Sequence, residues 1–183
     1  MDVMDTGLMV PFVPTPEPVV RRMLTLANVR PGELVYDLGA GDSRVLSCAV
    51  RDFGARAVGV ELHASRYAQI LGRVKRERLE HHVKIIRGDF FEISLSDANV
   101  VTLYLLSSVN SMIRPKLEQE LKAGTRVVSH DFQIHGWVPS RAEKFRDQHD
   151  KHMIYLYQVP SSLANRSQLP NPSMRRLDTP LAR

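Results

Sequence analysis

A short apolar run that ends in an acid and passes at once into two glycines constrains the fold of this chain most. Residues 33–44 read ELVYDLGAGDSR. An apolar run bounded by turn residues is typical of a strand buried on both faces of a parallel sheet. Gly39 and Gly41 permit backbone conformations, and a close ligand approach, that a Cβ atom would block. The segment therefore predicts a strand, a tight ligand-binding loop and a helix for which Ser43 is a candidate cap.

Strand-like and helix-like segments alternate along most of the chain. Strands are predicted in ELVYDLG, RAVGVEL, VKIIRGDF, ANVVTLYLL and TRVVSHDF. Helices are predicted between them and in TPEPVVRRMLTLANV, where Thr15 is a candidate N-cap. AEKFRDQ and HMIYLYQV predict a closing antiparallel pair. The pattern predicts an α/β, Rossmann-like, doubly wound and mostly parallel seven-stranded sheet, with helices on both faces and an antiparallel C-terminal hairpin.

Length and composition predict one domain over residues 1–159, beginning with a loop and helix at 1–30. Residues 160–183 are rich in Pro, Ser, Asn and Arg without periodicity, which predicts a flexible basic tail. The N-terminus has no secretory signal pattern, and no apolar run approaches the length of about 18 residues that a membrane span needs. The single cysteine, Cys48, excludes an internal disulfide and fits a reducing compartment. These features predict a cytoplasmic protein without a membrane anchor.

Three acids follow three successive predicted strands, namely Asp37, Glu61 and Asp89. The carboxyl ends of parallel strands meet at one edge of a sheet, where ligands of such folds bind. A carboxylate at the position of Glu61 can accept both hydroxyls of a ribose. Asp89 can accept from an adenine amino group, and Phe90 can stack on the ring or donate its backbone N–H. Each acid has a structural explanation of its own, as a turn residue or a helix N-terminal charge, but together they indicate a nucleoside site.

The loop does not match the common phosphate-binding patterns. No GxxxxGK[ST] sequence is present, and Arg44 stands where a dinucleotide-binding loop needs its third glycine. Asp37 would repel a phosphate and attract a cation. S-adenosylmethionine (SAM) carries a sulfonium, an ammonium and a ribose, and it has no phosphate. The segment therefore predicts SAM as the cofactor.

DLGAGDSR, VGVEL and GDFF resemble the cofactor motifs of class I, seven-β-strand SAM-dependent methyltransferases, and the resemblance spans residues 12–159. PFVPTPEPVVRRML, VVTLYLLSSVNSMIRPKLEQELKAGTRVVSHDF and GW are similar to the archaeal protein lysine methyltransferases and their mitochondrial relatives. The resemblance implies methyl transfer to the Nε of lysine in protein substrates, with broad specificity among targets as one option. The mitochondrial relatives carry an apolar membrane segment before this block, and its absence here predicts a free cytoplasmic enzyme.

The same resemblance implies a set of cofactor contacts. It implies that the VPTP segment covers the methionine end of SAM, with Thr15 near its carboxylate. Ser43 and Phe90 complete the predicted set. The predicted cofactor-binding residues are Thr15, Asp37, Gly39, Gly41, Ser43, Glu61, Asp89 and Phe90.

The acceptor is chosen after the fourth strand, where this chain reads LYLLSSVN in place of the Asp/Asn-Pro-Pro-aromatic motif of many base and amide methyltransferases. A lysine must lose a proton before it attacks, and a partly desolvated channel lowers its pKa. In-line attack is then largely a matter of positioning. Tyr104 and Asn110 are the predicted catalytic residues, although a packed tyrosine and a helix-capping asparagine are open alternatives. The other channel candidates are His130, Asp131, Phe132 and Trp137, of which His130 beside an aspartate also fits a structural pair.

We expect no metal site, because the histidines outside that channel show no recognisable metal-ligand spacing with Cys or Asp. These histidines are His81, His82, His149 and His152. A net charge of +5 favours acidic partners, but the basic residues are scattered. The resemblance to the lysine methyltransferases implies protein partners with accessible lysines, and we expect a monomer. An RNA or a small amine as acceptor, and a non-catalytic nucleic-acid binding protein, are the alternatives.

Overall fold

The computed structural model describes residues 13–159, so the predicted tail at 160–183 and residues 1–12 lie outside it. Four helices and seven strands form in this range. The helices are α1 (Glu17–Leu26), α2 (Arg44–Phe53), α3 (Ala64–Arg76) and α4 (Ser107–Glu120). The strands are β1 (Leu34–Leu38), β2 (Arg56–Glu61), β3 (Val83–Arg87), β4 (Val100–Leu103), β5 (Arg126–His130), β6 (Arg141–Arg146) and β7 (Lys151–Gln158).

The seven strands form one sheet in the order β3-β2-β1-β4-β5-β7-β6. The first five strands are parallel, and β7 pairs antiparallel with both β5 and β6. The predicted fold class is therefore confirmed, including the antiparallel hairpin at the end. The chain moves outward from β1 to β3 and then returns to place β4 on the other side of β1. The gap between the ends of β1 and β4 is the switch point at which such sheets bind ligands.

Successive residues of the central strands enter two hydrophobic cores, one on each face of the sheet. Val35 packs with the buried residues of α1, α2 and α3, whereas its neighbours Tyr36 and Leu38 pack with those of α4. This alternation follows from the two-residue repeat of a strand, and burial on both faces explains why β1 is apolar along nearly its whole length. The two cores fix the ends of the strands from both sides, which positions the acids that follow them.

The predicted cap of α1 is wrong. Thr15 does not cap this helix, because Pro16 occupies the N-cap position and no side chain caps it. On α3, Ile70 and Val74 are buried, while Leu71 beside them is 43% exposed. Gly54 closes α2 in the left-handed conformation.

Candidate active site

An open cavity lies at the switch point, over the ends of β1, β2 and β4. Its lining includes most of the residues that were predicted from the sequence to hold a cofactor and, of the predicted acceptor residues, Tyr104. Among them, the cavity brings together Thr15, Asp37, Gly39, Gly41, Glu61, Asp89, Phe90 and Tyr104. Ser43 and Asn110 do not contribute to this lining.

The glycine loop is fastened to the end of β2 by its own backbone. Gly39 and Gly41 have φ values of 83° and 55°, which non-glycine residues rarely adopt. The N–H groups of Gly39 and Ala40 both donate to the carbonyl of Val60 at 3.0 Å. The loop therefore forms a rigid floor of the cavity in a conformation that depends on its glycines.

Asp37 is buried at the base of the cavity, with 7% of its surface exposed. Its Oδ1 accepts a hydrogen bond of 2.6 Å from Oγ1 of Thr102, which stands opposite it in the pairing of β1 with β4. Burial raises the pKa of Asp37 to about 7, against the opposing hydrogen bond from Thr102, and the carboxylates of Asp42 and Glu61 raise it further. A negative charge on Asp37 is therefore unfavourable in the empty cavity, and a bound cation would offset this cost.

Glu61 ends β2 and is only 4% exposed. Its Oε2 accepts from the N–H of Gly41 at 3.1 Å, and its Oε1 accepts from the N–H of His63 at 2.9 Å. Two backbone donors therefore fix the plane of this carboxylate. Since each carboxylate oxygen has two acceptor positions, both oxygens keep one for a ligand.

Asp89 follows β3 and lies farther along the same wall of the cavity. Its Oδ1 accepts from the N–H of Phe91 at 2.9 Å, which is an Asx turn, so the structural explanation for this acid holds. The residue also lines the cavity, and the ring of Phe90 lies beside it, 4.9 Å from that of Phe91 between ring centroids. The turn and the cavity wall are thus built by the same residues.

Thr15 enters the site from the segment before α1. It is buried, its Oγ1 lies 3.2 Å from Nδ1 of His130, and its carbonyl accepts from Nη1 of Arg44 at 2.7 Å. Arg44 also pairs with the carboxylate of Asp42. One guanidinium therefore ties the segment that covers the cavity to the glycine loop beneath it.

Ser43 occupies the first position before α2, but its side chain does not cap the helix. Its φ of 67° is left-handed, and its hydroxyl donates to the carbonyl of Asp42 at 2.6 Å. The residue is fully buried and lies beneath the loop. The predicted cap is therefore wrong, and the predicted contact with a cofactor stays a prediction.

Tyr104 follows the last residue of β4 and lines the cavity. Its ring lies against the imidazole of His130, with ring centroids 4.0 Å apart, and 6.2 Å from the ring of Phe132. Partial burial, with a smaller contribution from the charge of Asp131, raises the pKa of the phenol. Tyr104 is thus both a packed strand-end tyrosine and a wall of the cavity.

Asn110 lies within α4 rather than at its start, so the capping alternative is wrong. It is fully buried, and its Nδ2 donates to the carbonyls of Phe132 and Gln133 at 3.1 and 3.4 Å. Its Oδ1 is buried without a hydrogen-bond partner among the residues that the structure describes. These bonds hold the loop after β5 in place against α4. Its predicted catalytic role is untested.

Trp137 is held in the same loop region. Its Nε1 donates to Glu118 at 2.8 Å, and its ring packs against that of Tyr157. The residue does not contribute to the lining of the cavity. This arrangement is that of a loop anchor.

His130 is completely buried at the end of β5, and its Nε2 lies 3.0 Å from Nδ1 of His152 on β7. Burial lowers its pKa to about 4, against the charge of Asp131, which raises it, while His152 lowers it further. Asp131 has a left-handed φ of 58°. Its N–H donates to the carbonyl of Met153 at 2.7 Å, and its Oδ1 accepts from the N–H of Met153 at 2.8 Å. The sequence did not indicate that His152 would join this group.

Two residues of the site were not singled out from the sequence. Thr102 is a polar residue inside an otherwise apolar strand, which is the one signal that could have indicated its bond to Asp37. Arg44 was noted only for replacing a glycine, and its contact with Thr15 joins residues far apart in the chain. Neither contact could be predicted from a sequence motif, because each joins residues far apart in the chain.

Comparisons with known proteins agree with this site. The model of the ANTKMT methyltransferase domain family matches residues 37–141, which include the glycine loop and the three acids. A protein-lysine N-methyltransferase of Saccharolobus islandicus is 48% identical over 82% of this chain and 94% of its own length. The mouse adenine nucleotide translocase lysine N-methyltransferase is 35% identical over 72% of this chain, which spans only 57% of that protein.

A solved structure resembles the whole cavity-bearing domain. The crystal structure of an RNA methyltransferase from Salinibacter ruber, in complex with S-adenosyl-L-homocysteine, has a TM-score of 0.76 and 42% identity, and the match covers 81% of this chain and 94% of that one. More distant structures, such as the tRNA methyltransferase TrmK of B. subtilis at 16% identity, share the fold alone.

The fold and the cavity define a SAM-dependent methyltransferase with a Rossmann-like sheet. More narrowly, the chain belongs to the ANTKMT methyltransferase family. Within residues 13–159, no helix is both long and apolar enough to cross a membrane.

Proposed function

We propose that this protein is a protein-lysine N-methyltransferase, which transfers the methyl group of SAM to the Nε of lysine side chains in proteins. The observation that carries this proposal is the 48% identity to the protein-lysine N-methyltransferase of Saccharolobus islandicus, which extends over 94% of that protein. A match of this extent includes the acceptor side of the cavity as well as the cofactor motifs. The two lysine methyltransferases from mouse and archaeon thus support the same acceptor.

The acids that line the cavity are the proposed cofactor residues. The ribose hydroxyls of SAM donate to the free acceptor positions of Glu61, whose plane is already fixed by two backbone N–H groups. Asp89 and Phe90 hold the adenine, and Gly39 and Gly41 permit close approach to the loop.

The charge of the cavity fits this cofactor better than a phosphate-bearing nucleotide. Asp37 and Glu61 are both buried, and burial together with the charges of Asp42 and Glu61 raises the cost of ionising Asp37. A sulfonium and an ammonium offset that cost, whereas a phosphate would add to it. Thr15, held by Arg44, covers the methionine end.

SAM supplies an electrophilic methyl group on a positively charged sulfur. On the acceptor side, the chain has to hold a neutral amine in line with that methyl, and partial desolvation lowers the pKa of lysine toward the neutral form. Tyr104 lines the cavity and keeps its proton because its pKa is raised, so its hydroxyl and ring are available to orient the amine. Asn110 contributes by holding the loop after β5 through its two carbonyl contacts.

The remaining features belong to the same proposal. A cytoplasmic location is supported by Cys48, which is free and fits a reducing compartment. We further propose a monomer whose partners are proteins with accessible lysines, with nucleic acid as a minor partner. Size-exclusion chromatography with light scattering would overturn the monomer if it returned twice the mass of one chain.

RNA is the second candidate acceptor, because the Salinibacter ruber relative at 42% identity is described as an RNA methyltransferase. The net charge of +5 is compatible with it. The two candidates share the cofactor side and differ only in what reaches Tyr104.

The acceptor is tested by competition between substrates. The protein is incubated with methyl-labelled SAM, a lysine-rich protein and total RNA, and both products are digested and analysed by mass spectrometry. We expect the label on the Nε of lysine. The variant Glu61→Ala should abolish most transfer, and Glu80→Ala, an exposed glutamate outside the cavity, should not. Label on RNA nucleosides with none on lysine would replace the lysine proposal by the RNA candidate.

A further inference from the structure

Three side chains next to the acceptor side of the cavity present one potential ligand atom each to a common point. His130 Nε2 lies 3.0 Å from His152 Nδ1 and 3.2 Å from Asp131 Oδ2, and the remaining distance, from His152 Nδ1 to Asp131 Oδ2, is 3.9 Å. These atoms form a compact group that no part of the proposed methyl transfer requires.

The size of this triangle matches a transition-metal site. The circle through three points separated by 3.0, 3.2 and 3.9 Å has a radius of about 2.0 Å. Zinc binds imidazole nitrogen and carboxylate oxygen at about 2.0 to 2.2 Å. An ion at or just outside the plane of the three atoms would therefore reach all of them at its normal bond lengths.

Each of the three side chains also has an oxygen or a backbone donor near the atom that does not belong to this group. Nδ1 of His130 lies 3.2 Å from Oγ1 of Thr15. Nε2 of His152 lies 3.4 Å from a carboxylate oxygen of Asp147, which is a charge contact without a hydrogen bond. Oδ1 of Asp131 accepts from the N–H of Met153 at 2.8 Å. Metal-binding histidines are usually held in this way, with the second ring nitrogen directed to an oxygen that fixes the tautomer.

The group is assembled by the pairing of β5 with β7. His130 stands opposite Ile154, so His152 lies two residues away on the same side of β7. The left-handed backbone of Asp131 turns its carboxylate back toward the two rings. The three ligands thus come from two paired strand ends, and their spacing of 22 residues between the histidines resembles no sequence motif.

We propose that His130, Asp131 and His152 form a binding site for a divalent transition metal of the zinc class, directly behind the acceptor wall of the cavity. Two imidazoles and one carboxylate suit zinc, and they do not suit magnesium, which prefers oxygen ligands. Asp131 is 32% exposed, whereas both histidines are buried, so an ion would reach the site from the side of Asp131.

The ion would act as a structural brace. His130 packs against Tyr104 and contacts Thr15, so a metal that fixes its ring also fixes two residues of the cavity wall. The site does not depend on whether lysine or RNA is the acceptor. The sequence predicted no metal, and this proposal reverses that prediction on the geometry of the group.

The test uses the protein with every affinity tag removed, since a histidine tag binds the same metals. The purified protein is stripped with a chelator and titrated with Zn²⁺ in a calorimeter, with Mg²⁺ as the control ion. We expect one Zn²⁺ per chain, no binding of Mg²⁺, and a rise in melting temperature of about 5 °C when free Zn²⁺ is about 100 times the dissociation constant. Co²⁺ should give visible absorption bands of a site with nitrogen and oxygen ligands.

Three variants locate the ion. Asp131→Asn and His152→Ala should each weaken Zn²⁺ binding at least tenfold, and His149→Ala, an exposed histidine in the same hairpin, should leave it unchanged. If His152→Ala fails to fold, zinc binding by Asp131→Asn and by the unmodified chain still tests the site. Binding weaker than about 100 µM in the unmodified chain, or equal binding in Asp131→Asn, would overturn the site and leave a hydrogen-bonded cluster of the two histidines.

Discussion

The two walls of the cavity are assembled in different ways. The cofactor wall, which comprises Asp37, Gly39, Gly41, Glu61 and Asp89, follows three adjacent parallel strands, and its polar atoms are held mostly by nearby backbone N–H groups. On the side proposed for the acceptor, Tyr104 lines the cavity and Asn110, His130 and Asp131 lie behind it. These residues are held by rings and side chains from β4, α4, β5 and β7.

This difference has a functional consequence. A wall made by strand ends and backbone can keep one ligand geometry while other parts of the sequence change. A wall made by side chains from four elements changes with each of them. The first suits a cofactor common to methyltransferases, and the second suits an acceptor that differs between relatives described as lysine and RNA methyltransferases.

The largest expected effect concerns the electrostatic cost of the cofactor wall. In the folded protein the pKa of Asp37 is raised from 3.8 to about 7, so its contribution to stability is present at low pH and is lost as the pH rises through about 7. Asp37→Asn removes this titration. We expect the unfolding free energy of the variant, relative to the unmodified chain, to rise by about 3 kcal/mol between pH 4.5 and pH 8.

Urea denaturation at both pH values, without cofactor, measures this difference. The same variant should bind SAM more weakly at pH 8, because it lacks the charge that the cation offsets. A difference in stability that does not change with pH would show that the pKa of Asp37 is not raised by folding. The bottom of the cavity would then carry no unfavourable negative charge for a cation to offset.

Glu61→Ala should weaken SAM binding by about 2 kcal/mol, or roughly 30-fold, since it removes a charged acceptor and leaves the N–H of Gly41 without its partner. Isothermal titration calorimetry measures the change, with Glu80→Ala as the exposed control. Unchanged affinity in Glu61→Ala would place the ribose elsewhere.

Gly59→Ala tests how closely the cofactor wall is packed from behind. A Cβ at this position would lie 2.6 Å from Cδ1 of Leu46 and 2.9 Å from Cβ of Ala40 in the glycine loop. We expect a loss of about 1 to 2 kcal/mol in unfolding free energy and a parallel loss of SAM affinity, because Ala40 must move. Gly72→Ala, whose Cβ would meet only the end of a flexible arginine, is the matched control in the same assays. Normal stability of Gly59→Ala would contradict the packing described for the loop.

On the acceptor wall, Tyr104→Phe should reduce turnover by roughly fivefold, about 1 kcal/mol, with little change in SAM affinity, because only its hydroxyl is removed and its ring contact with His130 remains. Steady-state kinetics with a lysine-rich protein separates the two quantities, and Tyr67→Phe on α3 serves as the control. Equal turnover would reduce Tyr104 to a packing residue, and an equal loss in SAM affinity would move it to the cofactor wall.

The fold and the proposed cofactor wall can be predicted from the sequence, whereas the contacts on the other side of the site cannot. The strand that contains Asp37 and the loop that follows are contiguous, so an apolar run, an acid and two glycines predict both the fold and the cofactor wall. The contact of Thr15 with His130 joins residues 115 positions apart, and that of His130 with His152 depends on the register of an antiparallel pair. Neither periodicity nor spacing encodes such contacts, which is why His152 was not connected with the site and Thr15 was placed at a helix cap.

A crystal structure of the protein with S-adenosyl-L-homocysteine tests the central claim most directly. The account predicts both ribose hydroxyls within hydrogen-bond distance of the carboxylate of Glu61, with the adenine beside Asp89 and Phe90 and the sulfur directed toward Tyr104. A ligand bound with its ribose away from Glu61, or outside the cavity over the ends of β1, β2 and β4, would contradict it.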